Sequence, residues 1–193
     1  MKVISHLLQA IQNIRNHGVA SSTSARSIGQ DDYDLGNRAT STLNWGAGIP
    51  FFLAAVQKEP NNPEFIRALA TCKHFVGEYK ESIELYDRAI AIQPYDPCLY
   101  SNRSISKEHS EDYFGAIEDA TSAITLATVL EEREREYYCQ RGRSYYSLGV
   151  LDRSLQDFSE ALALDPTSSE LSEHVADLRA QLEEYELQNQ DAG

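Results

Sequence analysis

An alanine that recurs at a nearly fixed spacing strongly limits what this chain can fold into. The four copies are separated by 34, 34 and 38 residues and lie at Ala55, Ala89, Ala123 and Ala161. Proline follows three of them after five residues, at Pro60, Pro94 and Pro166. One spacing kept over so much of the chain indicates stacked copies of a single helix–turn–helix unit.

The last copy shows the expected local structure most clearly. Its apolar and small residues fall at helical spacing on either side of Gly149, at Tyr138, Gly142, Tyr145 and Leu148 and then at Leu151, Leu155, Phe158, Ala161 and Leu162. This pattern predicts two amphipathic helices joined by a turn. Pro166 ends the second helix because proline cannot continue the hydrogen-bond ladder.

These residues give the chain its family resemblance. The motif positions are Tyr138, Gly142, Tyr145, Phe158, Ala161 and Pro166 in the last copy, with Tyr100, Tyr113, Ala116 and Ala123 before it and Leu69, Ala70, Gly77, Tyr79, Tyr86, Ala89 and Pro94 before that. Residues 29–168 therefore resemble the tetratricopeptide repeat (TPR) proteins. The resemblance implies an all-α, right-handed α-solenoid of helix–turn–helix repeats with N- and C-terminal capping helices.

The predicted TPR domain contains a degenerate repeat at 29–62 and further repeats at 63–96, 97–130 and 135–168. Departures from the TPR pattern are single residues: arginine in place of leucine at Arg103 and Arg141, lysine in place of tyrosine at Lys73 and Lys107, and threonine in place of proline at Thr128. In the degenerate repeat, the helix-breaking residues Asn44, Gly46 and Gly48 precede Pro50. They predict a second helix that begins only near Pro50. Trp45 is interpreted as a plug over the edge of the stack. The four extra residues before the last repeat are expected to lengthen its first helix backwards.

The two ends of the chain are predicted to be capping elements. Residues 1–28 form an amphipathic helix and linker, and the first 30 residues carry no acidic side chain. That composition also suits a mitochondrial targeting sequence, so we predict a cytoplasmic location, with a mitochondrial one as the alternative. Residues 169–193 form a C-terminal capping helix and an acidic tail, and the helix could instead pair two chains into a weak dimer.

Charge and motif content exclude several classes of function. The net charge of −13 disfavours a nucleic-acid partner, and no apolar run is long enough to span a membrane. Cys72, Cys98 and Cys139 lie in no metal-binding spacing, and they suit a reducing compartment. Catalytic motifs are missing too. We therefore predict a protein without enzymatic activity, metal or cofactor.

The resemblance implies that the first helix of each repeat lines a concave groove that binds a peptide segment. The groove residues placed in this way are Arg67, Thr71, His74, Phe75, Asn102, Ile105, His109, Gln140, Arg143 and Tyr146. Some TPR co-chaperones clamp a C-terminal carboxylate with lysine, asparagine and arginine side chains. Here Arg67 and Asn102 match two clamp positions, while Thr71, Glu136 and Gln140 replace the others.

The function expected from this resemblance is a protein–protein interaction adaptor, of which a co-chaperone is one form. Arg67, Asn102 and Arg143 are predicted to anchor an acidic or C-terminal carboxylate group of the partner, and Phe75 and Tyr146 to provide apolar contact. A structural subunit that serves the assembly of a larger complex is the alternative.

Overall fold

The computed structural model describes residues 27–130 and 135–190. Residues 1–26, with most of the predicted N-terminal helix, and the end of the acidic tail lie outside these ranges. Within them, the chain forms helices and no strand, in the order α1 (Gln30–Thr40), α2 (Trp45–Lys58), α3 (Pro63–Phe75), α4 (Tyr79–Ile92), α5 (Pro97–His109), α6 (Tyr113–Leu130), α7 (Arg135–Ser147), α8 (Leu151–Leu164) and α9 (Ser169–Gln190).

Successive helices pair, and each of the later pairs is closed by a tight turn. The turns between α3 and α4, α5 and α6, and α7 and α8 contain a residue of positive φ: Gly77 at 85°, Glu111 at 65° and Gly149 at 73°. Glycine adopts this backbone at no steric cost, whereas a residue with a Cβ pays about 1–2 kcal/mol. Glu111 therefore occupies the turn that the sequence suits least.

A buried hydroxyl joins the two helices of each of these three pairs. Ser82, Ser104 and Ser154 are fully buried. Each donates a 2.9 Å hydrogen bond to the backbone carbonyl of a residue on the partner helix, at Ala70, Ala116 and Gly142. All three bonds span 12 residues, so the helix–turn–helix repeat is also a repeated hydrogen-bond unit.

The second helix of the degenerate repeat begins earlier than predicted. Helix α2 begins at Trp45, capped by the Asn44 side chain, and Pro50 lies inside it. The glycines of this stretch serve helix packing, since a Cβ on Gly48 would lie 2.5 Å from a Thr40 methyl and one on Gly36 would lie 2.6 Å from the Phe52 ring. The expectation of a start near Pro50 was wrong because these glycines are needed where α1 and α2 approach closely.

Helix α6 is longer than the second helices of the other repeats. It has 18 residues, whereas α2, α4 and α8 have 14 each. The proline that follows these shorter helices is replaced by Thr128, so α6 can continue for another turn to Leu130. Residues 131–134, from which the first helix of the next repeat was expected to extend backwards, lie outside the described ranges, so that expectation stays a prediction.

The described residues divide into two compact units, with the boundary between Leu99 and Tyr100. The first contains 27–99 with 129–130, and the second contains 100–128 with 135–190. The core of the first unit is one cluster of large side chains that includes Phe52, Phe65, Ile66, Leu69, Tyr86 and Leu99. Tyr33 stacks on the Phe65 ring at 5.0 Å between centroids and extends this core.

The second unit has two smaller clusters. One is built on Ala123, Ala127 and Tyr137, and the other joins α8 to α9 through Phe158, Ala161, Leu171, Val175 and Leu178. Helix α9 thus covers the apolar face of the last helix pair, which is how a C-terminal capping helix is expected to act. Further along α9, Tyr185 and Leu187 are each 63% exposed.

Candidate binding clefts

A cleft in the first unit contains two of the predicted groove residues. Its volume is about 170 Å³. Helices α1, α2 and α3 supply its lining, which consists of Asn37, Thr40, Trp45, Phe52, Arg67, Ala68, Thr71 and Cys72. The lining side chains are mostly aromatic or small, and Arg67 carries the one full positive charge among them.

Arg67 is half-buried and stands one helical turn before Thr71 on α3. Within residues 27–130 and 135–190, its guanidinium has no hydrogen bond or ion pair. Its charge nevertheless acts on the nearby phenols: burial raises the pKa of Tyr86 to about 12, against the lowering effects of the Thr71 hydrogen bond and of Arg67. Arg67 therefore offers its donors to a group that enters the cleft.

Thr71 is occupied by bonds within the first unit. Its hydroxyl donates to the Arg67 carbonyl at 2.9 Å and shares a second 2.9 Å hydrogen bond with the Tyr86 hydroxyl. Because both bonds are internal, Thr71 shapes the cleft rather than presenting a free donor. Its predicted role as a direct peptide contact is not supported by this geometry.

An aromatic stack lies at the edge of the first cleft. The rings of Trp45 and Phe75 are 4.2 Å apart between centroids and nearly parallel, at 13°. Phe75 is 55% exposed, and the His74 ring meets its edge at 5.2 Å. Trp45 is half-buried and packs against the first core, so it contributes both to stability and to the surface of the cleft.

A larger cleft of about 320 Å³ lies in the second unit. Its lining comes from α5, α7, α8 and α9 and consists of Glu108, Arg143, Tyr146, Ser147, Phe158, His174, Asp177, Leu178 and Gln181. Arg143 and Tyr146 are the two predicted groove residues among them. The capping helix α9 supplies four of the nine, a contribution that the sequence analysis did not foresee.

Arg143 is paired to an acidic residue of its own unit. Its Nε lies 3.2 Å from the Glu108 Oε1. Glu108 is the better shielded partner, with a side chain that is 16% exposed against 48% for Arg143. An acidic ligand at this arginine would have to compete with Glu108, and the predicted anchoring role of Arg143 is weakened for that reason.

The remaining predicted groove residues lie on α5 and α7 and differ in accessibility. Asn102 and Ile105 are half-buried, while His109 is exposed and its Nδ1 lies 2.8 Å from the Ile105 carbonyl oxygen. Gln140 is only 5% exposed, and its Oε1 accepts a 2.9 Å hydrogen bond from Ser101. Gln140 is therefore a buried link between α5 and α7, and its contact with a peptide stays a prediction.

The basic residues that depart from the TPR pattern are ion-pair partners. Arg103 forms a two-pronged ion pair with Asp119 at 2.7 and 2.6 Å, and Arg141 forms the same pair with Asp157 at 2.9 and 2.8 Å. Both aspartates are nearly fully buried. The signal that could have revealed them is an arginine followed after 16 residues by an aspartate, in two successive repeats.

Lys107 joins the first of these pairs, 2.9 Å from Asp119, and Lys73 pairs with Glu78. The side chains in the described ranges include no group of three or more histidines, cysteines or acids placed to hold a metal ion. Over the same part of the chain, no helix combines the length and apolar content that crossing a membrane requires.

The three cysteines are free thiols in different surroundings. Cys98 is exposed, Cys139 is half-buried and Cys72 is buried in the first core. Burial raises the pKa of Cys72 to about 11 and also raises the pKa of Cys139. Neither thiol is activated as a nucleophile, because an activated cysteine has a lowered pKa.

Together, the paired helices, the tight turns and the capping helix define a helical-repeat protein built for interaction surfaces. Comparison with known proteins confirms the resemblance to TPR proteins. The family model of the tetratricopeptide repeat matches residues 136–168. Tetratricopeptide repeat protein 28 of Mus musculus is 31% identical over 134 residues, which cover 65% of this chain and 5% of that protein. The chain spans 40% or less of the length of the first curated relatives it matches.

Solved structures confirm the fold class. MamA from Desulfovibrio magneticus RS-1, residues 41 to the end, has a TM-score of 0.74 at 13% identity and covers 84% of this chain and 90% of its own. The first TPR of Spaghetti (RPAP3), bound to the HSP90 peptide SRMEEVD, has a TM-score of 0.58 at 22% identity and covers 62% of this chain and 92% of its own. At these identities the likeness shows the all-α TPR solenoid fold and not a function.

Proposed function

We propose that this chain is a non-catalytic adaptor that binds an acidic segment of a partner protein in the cleft around Arg67. The observation that carries the proposal is Arg67, a half-buried residue whose guanidinium forms no ion pair with any described residue of a chain with net charge −13. A partly buried charge without a partner is unfavourable. A carboxylate of the partner would supply the missing acceptor.

The surroundings of Arg67 suit a short extended segment. Its planar fork of donors can bind a carboxylate through two parallel hydrogen bonds. The Trp45–Phe75 stack at the edge of the cleft offers apolar surface to a neighbouring side chain of the same segment. One charged anchor beside one aromatic surface is a common arrangement where proteins recognise peptides.

A co-chaperone is one form of this function. The Spaghetti structure contains a peptide with two adjacent glutamates and a final aspartate. In this chain Arg67 and Asn102 stand at two positions of the carboxylate clamp, whereas Glu136 is exposed where the clamp has a lysine. We therefore favour binding through acidic side chains over a complete clamp on the terminal carboxylate.

The fluorescence of Trp45 tests the proposal directly, because it is the one tryptophan of the chain and lines the cleft. The probe is the peptide SRMEEVD, titrated into the wild type, Arg67→Ala and the control Arg153→Ala, which removes an exposed arginine outside the cleft. Loss of a charge-assisted hydrogen bond should weaken binding about ten- to a hundredfold in Arg67→Ala, and Arg153→Ala should bind as the wild type does.

Two further comparisons decide which group is recognised. The peptide SRMQQVN, which lacks acidic side chains, should bind weakly, and amidation of the SRMEEVD terminus should change the affinity little. Equal affinity of wild type and Arg67→Ala for SRMEEVD would contradict the assignment of the cleft.

A further inference from the structure

The cleft of the second unit has the opposite electrostatic character to the cleft around Arg67. Two carboxylates line it, from Glu108 on α5 and Asp177 on α9, against a single arginine, Arg143. The Arg143 charge is already compensated by Glu108 at 3.2 Å. Asp177 is exposed and remains as an uncompensated negative charge among the charged residues of this lining.

Glu108 has an incomplete set of hydrogen bonds. Only Oε1 is bonded to Arg143, while Oε2 is buried and has no hydrogen-bond partner among the residues that the structure describes. Native proteins satisfy nearly all buried polar atoms, so an unsatisfied carboxylate oxygen beside a cleft needs an explanation. A second cationic donor in the cleft would provide it, and the 48% exposed Arg143 side chain can move to admit one.

The helix ends and the aromatic lining of this cleft also favour binding of a cation. Glu108 lies in the last turn of α5, and Tyr146 and Ser147 are the last residues of α7. The C-terminal end of a helix carries a partial negative charge and favours cations. Tyr146, 49% exposed, adds an aromatic face to the lining, whereas Phe158 is a buried residue of the core. An accessible aromatic face attracts guanidinium and ammonium groups.

We propose that this cleft binds a basic side chain, an arginine or a lysine, from a segment of a partner protein. Its carboxylates, its helix ends and the Tyr146 ring all favour a cation. Its volume of about 320 Å³ leaves room for one long side chain. The site uses none of the residues around Arg67, so it does not depend on the function proposed for that cleft.

The experiment uses the full chain labelled with ¹⁵N and the probe N-acetyl-arginine amide, followed by the backbone amide signals of Ser147, Leu178 and Gln181. The matched probe is N-acetyl-citrulline amide, which has nearly the same shape but no charge. We expect saturable shifts of these signals with the arginine probe, and at least tenfold weaker binding of the citrulline probe.

Two variants test the carboxylates separately. Glu108→Gln keeps the shape of the side chain, and Asp177→Asn changes an exposed residue; each should weaken binding of the arginine probe at least fivefold. Glu173→Gln, an exposed substitution on α9 outside the cleft, should leave it unchanged. Equal binding of arginine and citrulline, or stronger binding of N-acetyl-glutamate amide at the same signals, would overturn the proposal.

Discussion

The two units of this protein fill the same pair of repeat positions with different side chains, apolar in the first unit and charged in the second. At one pair of repeat positions the first unit has Leu69 and Leu85, which both belong to its apolar core. The residues at the same positions, 34 and then 38 further along, are Arg103 and Asp119 and then Arg141 and Asp157, which form ion pairs. The repeat thus accepts either a pair of leucines or an arginine–aspartate pair, provided that both members change together.

The difference changes which interactions stabilise each unit. Its aspartates, Asp119 and Asp157, are 3% and 2% exposed, and removing such groups from water costs several kcal/mol that the ion pair only offsets. In return, a paired charge fits only its partner, which restricts how the helices can pack. The first unit, with Phe52, Phe65 and Tyr86 in one cluster, relies on apolar area instead.

The largest effect is expected when one partner of an ion pair is removed. Asp157→Ala leaves the Arg141 guanidinium, 20% exposed at its side chain, without its carboxylate. The free energy of unfolding should fall by about 3 kcal/mol, the lower end of the range for breaking a buried pair, as measured by urea unfolding followed by circular dichroism. Glu160→Ala, an exposed acid on the same helix, should stay within about 0.5 kcal/mol of the wild type.

An intermediate effect of opposite sign is expected when an ion pair of the second unit is replaced by the pair of leucines found in the first unit. The double substitution Arg141→Leu with Asp157→Leu removes both charges together, and the free energy of unfolding should be unchanged or higher by up to about 2 kcal/mol. The same urea experiment measures it. A loss as large as that of Asp157→Ala would mean that the repeat positions are not interchangeable, and the comparison between the units would fail.

The smallest effect is expected for the buried serine hydrogen bond that both units share. Ser82→Ala in the first unit and Ser154→Ala in the second each remove one buried hydroxyl bond to a helix carbonyl. Each should lower the free energy of unfolding by about 1 kcal/mol, and by similar amounts, because the lost bond is the same. Ser122→Ala, whose hydroxyl bonds within its own helix, is the control. Unequal losses would show that the surrounding core sets the value of this bond.

The fold could be predicted largely because its signals are local. The turn at Gly77 and the proline stops at Pro60, Pro94 and Pro166 determine where helices end, and the structure has its helix ends there. The start of α2 could not be predicted, because Gly36 and Gly48 are required by the approach of two helices. A packing requirement of that kind depends on distances that a single sequence does not contain.

The candidate sites were harder to predict than the fold. Arg67 and Tyr146 line clefts, but no pattern in the sequence indicates that Glu108 would bind Arg143 or that Ser101 would bond to Gln140. These partners are separated by 35 and 39 residues. Whether a polar side chain faces a ligand or a neighbouring helix depends on such long-range contacts, which the repeat pattern leaves undetermined.

The serine bonds also bear on the order in which the chain folds. Each connects residues only 12 apart, so forming one closes a short loop at little entropic cost. Contacts of this range favour rapid folding. Three helix pairs hold their own copy of the bond, and we therefore expect folding to begin in any of these pairs and to spread to its neighbours, with several parallel routes in place of one obligatory nucleus.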